Sequence, residues 1–183
     1  SSHELYYFAD TKALVLMAHN SSCQSMQQSV EALASMQASY ADQGVEFMLI
    51  NSDLRDDRAA IQSSISATSI AAPVLMDSTQ IIGESLGAMN AGDTLVINPN
   101  NWQVAYRGSA QSAGQAVASL VAGQSPVMTS DTTTVEQNCA VDYPEIANRA
   151  AHANISYADT IAPMLAENCV TCHRAGGIGP FAM

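Results

Sequence analysis

The residues Cys169-Val170-Thr171-Cys172-His173 place two thiols and an imidazole within about one helical turn. Cysteines three positions apart can form thioether bonds to the two vinyl groups of one porphyrin, and the adjacent histidine can ligate its iron. We therefore predict one covalent haem c, with Cys169 and Cys172 as anchors and His173 as the proximal axial ligand. A redox disulfide is less favoured because no strand precedes Cys169. Zinc is also less favoured, because no second pair of ligands has suitable spacing.

The flanking residues resemble those of bacterial c-type haem domains. The resemblance rests on Ile161-Ala162-Pro163-Met164-Leu165 before the motif and Arg174-Ala175-Gly176-Gly177-Ile178-Gly179-Pro180 after it. Methionine as the distal ligand would raise the reduction potential, whereas a second histidine would lower it. Met183 is the first candidate for that position, with Met164 and His152 as alternatives.

The other two cysteines, Cys23 and Cys139, are far apart in the sequence. Cys23 follows a predicted strand and begins a predicted helix, whose N-terminus would stabilise a thiolate. Spare cysteines tend to pair in an oxidising compartment, so we favour a structural Cys23–Cys139 disulfide. A reactive Cys23 with Cys139 as its resolving partner and two free thiols are the alternatives.

Two basic residues could assist a reactive thiol. His19 could lower the pKa of Cys23, but a hydrogen-bonded histidine at a strand end is the favoured interpretation. Arg107 could stabilise a thiolate or a substrate anion, although a surface arginine on a strand is favoured.

Short apolar runs alternate with segments of helical periodicity over the first two thirds of the chain, which is typical of an α/β fold. The predicted strands are Ala13–Ala18, Val45–Ile50, Val74–Met76, Thr94–Ile97 and Gln103–Tyr106. Helices are predicted over 26–40, 56–66, 80–86 and 113–121. The predicted order is β-α-β-α-β-α-β-β-α, with the last two strands forming a hairpin.

The stretch from Leu5 to Ala122 resembles the alkyl hydroperoxide reductase and thiol-specific antioxidant type of redoxin. The matching segments are Gly44-Val45-Glu46-Phe47, Ala72-Pro73-Val74-Leu75-Met76-Asp77, Val96-Ile97-Asn98-Pro99 and Tyr106-Arg107-Gly108. The resemblance implies a thioredoxin-like fold, a central mixed sheet flanked by helices. Met26 replaces the second thioredoxin cysteine, Leu16 and Asn20 replace the peroxiredoxin Pro and Thr, and Gly92-Asp93 replaces the cis-proline. These departures imply a catalytically degenerate domain.

We predict a redoxin domain over 1–122, a linker over 123–138 and a small, mainly helical, cytochrome-c-like haem segment over 139–183. Ser156-Tyr157-Ala158-Asp159 resembles a capping box that begins a helix. Pro163 must either kink this helix or lie in the first turn of a new one. Both ends of the chain look cut, so the haem segment is expected to be truncated.

The formal net charge of −11 excludes nucleic acid as a natural partner, because phosphate neutralisation needs clustered Lys and Arg. No apolar run is long enough for a transmembrane segment. The haem motif and the cysteine pair predict a periplasmic protein whose signal peptide is absent from this chain.

We therefore expect an electron carrier rather than an enzyme, with the first domain as a scaffold or docking module. Its partner would be another redox protein, such as a membrane respiratory complex, or a fused or associated copper enzyme. The alternatives are a haem-linked thiol-disulfide oxidoreductase or peroxidase that uses Cys23, and an accessory subunit of a respiratory or copper-monooxygenase complex.

Overall fold

The five predicted strands belong to one six-stranded mixed sheet in the computed structural model, which describes residues 5–8, 10–131 and 139–182. The strands are β1 Ala13–Ala18, β2 Val45–Asn51, β3 Val74–Met76, β4 Thr94–Asn98, β5 Gln103–Gly108 and β6 Thr129–Ser130. Their spatial order is β3-β2-β1-β4-β5-β6. Both β2 and β4 flank β1, with β2 parallel to it and β4 antiparallel. The predicted hairpin is the antiparallel pair β4 and β5.

Side chains alternate across the sheet and form a core on each face. Val15, Met17, Phe47 and Leu49 lie in one core, together with Leu33 of the first helix. The second core contains the intervening residues of the same strands, namely Leu14, Leu16, Met48 and Ile50, with Leu95 and Ile97 of β4. Because both faces of the sheet are covered, every residue of β1 is buried. The carboxyl end of β1 leads into the loop that carries Cys23.

Within the described part of the first unit, four α-helices accompany the sheet: α1 Gln27–Tyr40, α2 Arg58–Ser66, α3 Ile81–Ser85 and α4 Gly114–Val121. A 3₁₀ turn, Gln24–Met26, precedes α1. The Asp57 carboxylate accepts from the Ala60 amide and caps the start of α2. Gly123 has a φ of 74° just after α4, so the helix ends where glycine relieves the steric cost of a left-handed backbone. The thioredoxin-like α/β fold that the sequence predicted is thus confirmed for the first part of the chain.

The chain divides into two compact units, residues 1–142 and 143–183. The first unit includes β6 and Cys139, which lie beyond the predicted end of the redoxin domain at residue 122. The second unit contains α5 Pro144–His152, a single π-helical turn Tyr157–Ile161, and α6 Ala162–Asn168. Pro163 lies in the first turn of α6, which follows the π-helical turn directly, since Ile161 and Ala162 both have right-handed helical backbone angles. Among the described residues no helix is long and apolar enough to cross a membrane.

Candidate functional site

Cys23 lies between β1 and the 3₁₀ turn that leads into α1, where only 9% of the residue is exposed. It forms a disulfide with Cys139, across a sequence separation of 116 and a Cα–Cα distance of 5.7 Å. The disulfide that the sequence favoured is therefore confirmed, and the alternative of two free thiols is wrong. Sequence reasoning did not identify Ser25, whose hydroxyl oxygen lies 3.4 Å from both sulfur atoms.

Two carboxylates from the loop after β2 hold the segment between β1 and Cys23. Asp53 accepts from the Asn20 amide at 2.6 Å, and Asp56 accepts from the Ser21 backbone N–H at 2.7 Å. Hydrogen bonds from the Arg55 side chain hold the pKa of Asp53 below its usual value, although burial opposes them. Asp53 therefore stays ionised and acts as a fixed acceptor under the loop that carries Cys23.

His19 is buried and hydrogen-bonded at the end of β1, as the favoured interpretation predicted. Its Nδ1 lies 3.2 Å from the Asn51 amide nitrogen, and its Nε2 lies 3.2 Å from the Ser64 hydroxyl. The orientation of Asn51 is fixed, because its oxygen accepts from the Asp53 N–H and its nitrogen also donates to Asp56. Nδ1 must therefore accept, and Nε2 carries the proton that is donated to Ser64.

Burial lowers the pKa of His19, and the nearby Asp56 carboxylate opposes this effect only in part. The neutral imidazole and Ser64 line a cavity of about 530 Å³ that also reaches Cys23 and Glu31. Both ring nitrogens of His19 are engaged by Asn51 and Ser64 at the wall of this cavity. Because its Nε2 already carries a proton, it does not offer a basic lone pair to a thiol there.

Arg107 is only partly exposed and donates from its guanidinium to the Gly87 carbonyl at 3.0 Å. That carbonyl belongs to the turn after α3. The arginine therefore ties β5 to this turn, which fits a strand arginine with a structural partner.

Cys169 follows α6 directly, and the helical turn continues through the motif because the His173 N–H donates to the Cys169 carbonyl at 2.9 Å. Both thiols are free, with Cys169 partly buried and Cys172 exposed. His173 Nδ1 lies 3.1 Å from the Phe181 carbonyl oxygen, which can only accept. Nδ1 is thus the protonated nitrogen, and the lone pair of Nε2 is free to bind a metal.

The loop 174–181 folds back over His173. The Gly179 N–H donates to the Cys172 carbonyl at 2.8 Å, and the Phe181 ring centroid lies 4.5 Å from that of His173. A Cβ at Gly179 would approach His173 Nδ1 to 2.7 Å, so the close approach requires glycine. The motif therefore offers two unpaired thiols and an imidazole of fixed tautomer, a donor set that fits a covalently bound haem.

The predicted distal ligands are not brought to the motif by any contact among the described residues. Met164 lies in α6 and is 50% exposed, and His152 is the last residue of α5. Met183 lies outside the described residues. The distal ligand therefore stays a prediction.

None of the residues from 144 to 182 is buried. Six large apolar side chains of this segment are exposed, namely Ile146, Ile155, Tyr157, Met164, Ile178 and Phe181. A helical segment normally buries an apolar stripe against a core, so this unit has apolar surface available for a further apolar group.

The arrangement of the first unit, a mixed sheet with a cysteine at the β1–α1 junction, is that of the thioredoxin-like class. The model of the AhpC/TSA family matches residues 2–110, and the chain belongs to this family. The match ends before the second unit. No curated protein matches the chain.

Three solved structures with this fold are similar to the chain at low identity. A hypothetical protein from Sinorhizobium meliloti 1021 is 22% identical with a TM-score of 0.63, over 76% of this chain and 84% of that one. An uncharacterized conserved protein from Geobacillus kaustophilus is 20% identical with a TM-score of 0.56, over 72% and 77%. A candidate thiol:disulfide interchange protein DsbE from Chlorobium tepidum is 16% identical with a TM-score of 0.56, over 64% and 84%. These similarities establish the shared fold.

Proposed function

We propose that the protein is an exported electron carrier with one covalent haem c, held by Cys169, Cys172 and His173. The observation that carries the proposal is the state of these three side chains. Both thiols are free while the other two cysteines of the chain are paired. The imidazole donates from Nδ1 to the Phe181 carbonyl, which leaves Nε2 available.

Each residue of the motif has a separate task. Thioether formation needs two reduced thiols close together, and Cys169 and Cys172 lie within one turn. A hydrogen bond from the second ring nitrogen of a ligating histidine fixes its orientation and raises its basicity, which is the task of the Phe181 carbonyl. Haem c supplies one-electron redox chemistry when bound. Exposed Ile178 and Phe181 would pack against such an apolar group.

The redoxin unit would serve as scaffold or docking module for a redox partner. The net charge of −11 favours a partner with a basic docking face, because complementary charge steers association. Export is supported by the disulfide and by the haem motif. A membrane respiratory complex and an associated copper enzyme are both suitable partners in this proposal.

Covalent attachment is tested by producing the exported protein together with a haem c maturation system. After extraction with acid and organic solvent, colour should stay with the wild-type polypeptide and leave the Cys169→Ala/Cys172→Ala variant. The matched control is Cys23→Ser/Cys139→Ser, which also removes two thiols and should keep the colour. Loss of haem from the wild type on extraction would contradict the proposal.

A second candidate function is thiol–disulfide exchange at Cys23 and Cys139. It is favoured by a disulfide at the β1–α1 junction of a redoxin fold, beside a cavity of about 530 Å³. The similarity in fold to a candidate thiol:disulfide interchange protein also supports it. A partner thiolate would attack the disulfide, form a mixed disulfide with one sulfur and release the other as a thiolate.

The exchange activity is tested by titrating free thiols in the native protein and then measuring disulfide and peroxide turnover. Cys23→Ser should abolish turnover, whereas Cys172→Ser, which leaves the Cys23–Cys139 pair intact, should not. Unchanged turnover in Cys23→Ser would remove this candidate. Co-purification with a redox complex in the absence of any soluble activity would instead favour an accessory subunit.

A further inference from the structure

Residues 139–142 lie as a short extended segment on the loop that precedes β4. The Ala91 N–H donates to the Cys139 carbonyl and the Val141 N–H donates to the Met89 carbonyl, each at 2.9 Å. Asn90 and Ala140 form an antiparallel bridge between these two bonds. The segment is therefore paired with the loop as an added strand would be.

Side chains of this segment alternate between the protein and solvent. Cys139 is partly buried and Val141 is 7% exposed, whereas Ala140 and Asp142 are exposed. The segment is thus bound through its backbone, its cysteine and an apolar side chain two residues later. This is how an extended peptide is recognised at a sheet edge, where alternate side chains enter the protein.

Gln80 holds the far end of the segment. It is 5% exposed, and its side-chain amide donates to the Asp142 carbonyl at 2.6 Å and to the Ser52 carbonyl at 2.8 Å. Its backbone has a φ of 59°, in the left-handed region that is costly for a residue other than glycine. The buried Gln80 side chain thus joins residue 142 to the loop after β2 through two hydrogen bonds.

We propose that the backbone of residues 89–91, in the loop before β4 and beside Cys23, is a docking surface for an extended segment of a partner protein with the pattern Cys-x-apolar. Residues 139–142 occupy this surface within the chain itself. Reduction of the Cys23–Cys139 bond releases the occupant and exposes the surface. The proposal rests on the second candidate function, thiol exchange at Cys23, and names the partner class for that site.

The exchange step needs no external oxidant, because one S–S bond forms as another breaks. The partner's cysteine thiolate attacks Sγ of Cys23, an S–S bond forms between them, and the Cys23–Cys139 bond breaks. Cys139 leaves as a thiolate and takes up a proton from solvent. The Ser25 hydroxyl, 3.4 Å from the Cys139 sulfur, can donate a hydrogen bond to the departing thiolate. The partner's segment then pairs with Met89 and Ala91 in place of residues 139–142.

The docking surface is tested with the reduced full chain carrying Cys139→Ser and Val141→Asp, which weaken the intramolecular occupant. Two blocked peptides are supplied as their disulfide dimers: Cys-Ala-Val-Asp, and the isomer Cys-Ala-Asp-Val, which moves the apolar residue to the outward position. Attack by Cys23 gives a protein–peptide mixed disulfide and one peptide thiol, and the adduct is followed by intact mass. The same variant with Cys23→Ser measures reaction at the remaining thiols.

We expect the adduct at Cys23 to form about tenfold faster with Cys-Ala-Val-Asp, because burial of one valine side chain is worth at least that factor. Equal rates for the two peptides would overturn the docking surface and leave thiol exchange intact. Failure of both peptides to react, when a small alkylating reagent still modifies Cys23, would overturn both proposals.

A second measurement uses the unmodified protein. Amide hydrogen exchange at Ala91 and Val141 should be slow in the oxidised protein. Reduction with dithiothreitol should accelerate it at least about tenfold more than exchange at the Leu49 amide of β2, which reports the general loss of stability. Equal acceleration at all three amides, or no acceleration, would overturn the release of residues 139–142.

Discussion

Removal of the Cys23–Cys139 crosslink should cost the first unit much of its stability. The bond closes a loop of 116 residues, and the loop-closure entropy removed from the unfolded chain corresponds to about 5 kcal/mol at 25 °C. A domain of this size is typically stable by about 5–15 kcal/mol, so Cys139→Ser should leave it near the limit of folding.

Urea unfolding followed by the fluorescence of Trp102 measures this effect. Trp102 is the single tryptophan of the chain and follows β4, so it reports on the first unit. The free energy of unfolding of Cys139→Ser should fall by about 3–5 kcal/mol. Dithiothreitol should lower the stability of the wild type to that of the variant and leave the variant unchanged.

Ala140→Ser is the matched control because residue 140 is exposed and the substitution leaves the crosslink intact. Its stability should stay within about 0.5 kcal/mol of the wild type. A loss below about 1 kcal/mol in Cys139→Ser, or an equal effect of dithiothreitol on both proteins, would refute the role of the crosslink.

Three further substitutions test other parts of the structure. Burial lowers the pKa of His19 in the folded protein below 6.5. As the pH falls below 6.5, His19 therefore takes up a proton in the unfolded chain before it does so in the folded protein, and the free energy of unfolding should fall. His19→Gln should flatten this pH dependence, which urea unfolding at a series of pH values measures. Gln80→Ala removes two hydrogen bonds to backbone carbonyls and should lower the unfolding free energy by about 1–3 kcal/mol. Gly179→Ala places a Cβ 2.7 Å from His173 Nδ1 and should weaken the proximal ligation of haem by about tenfold. In an acid titration of the haem spectrum, release of His173 should therefore occur about one pH unit higher than in the wild type.

A control variant or a specific result tests each of these three predictions. A pH profile of His19→Gln identical to that of the wild type would show that His19 does not titrate differently on folding. Gln62→Ala, at an exposed position of α2, should change stability by less than about 0.5 kcal/mol, and an equal loss in both glutamine variants would contradict the role of Gln80. A Cβ at Gly114 meets no atom within 4 Å, so Gly114→Ala should bind haem as the wild type does.

The sheet could be predicted from the sequence because its strands are continuous apolar runs. The predicted β1 agrees with the structure at both ends, and β2 and β4 are each one residue longer than predicted. The short β6, Thr129–Ser130, could not be predicted, because both residues are exposed and only backbone pairing with β5 defines the strand. Helix α5 was also missed, although Pro144 and Glu145 at its start and His152 at its end are residue types that favour those positions of a helix.

The site could be predicted only as far as residue type and local spacing decide it. The cysteine pairing followed from the count of spare thiols. The hydrogen bonds of His19 join it to residues 32 and 45 positions away, and no local pattern signals such contacts. The receptor for residues 139–142 likewise depends on Gln80 and on the loop before β4, which meet the segment only in the folded chain. The Phe181 contact with His173 lies eight residues away, beyond the spacing that the motif itself defines.

The intact mass of the denatured protein, exported in the presence of a haem c maturation system, tests the central proposal most directly. Thioether bonds survive denaturation, so the mass should exceed that of the polypeptide by one haem, and the added mass should be absent from Cys169→Ala/Cys172→Ala. A mass equal to that of the bare polypeptide, from cells in which a known c-type cytochrome matures normally, would contradict the assignment of Cys169, Cys172 and His173 as a haem site.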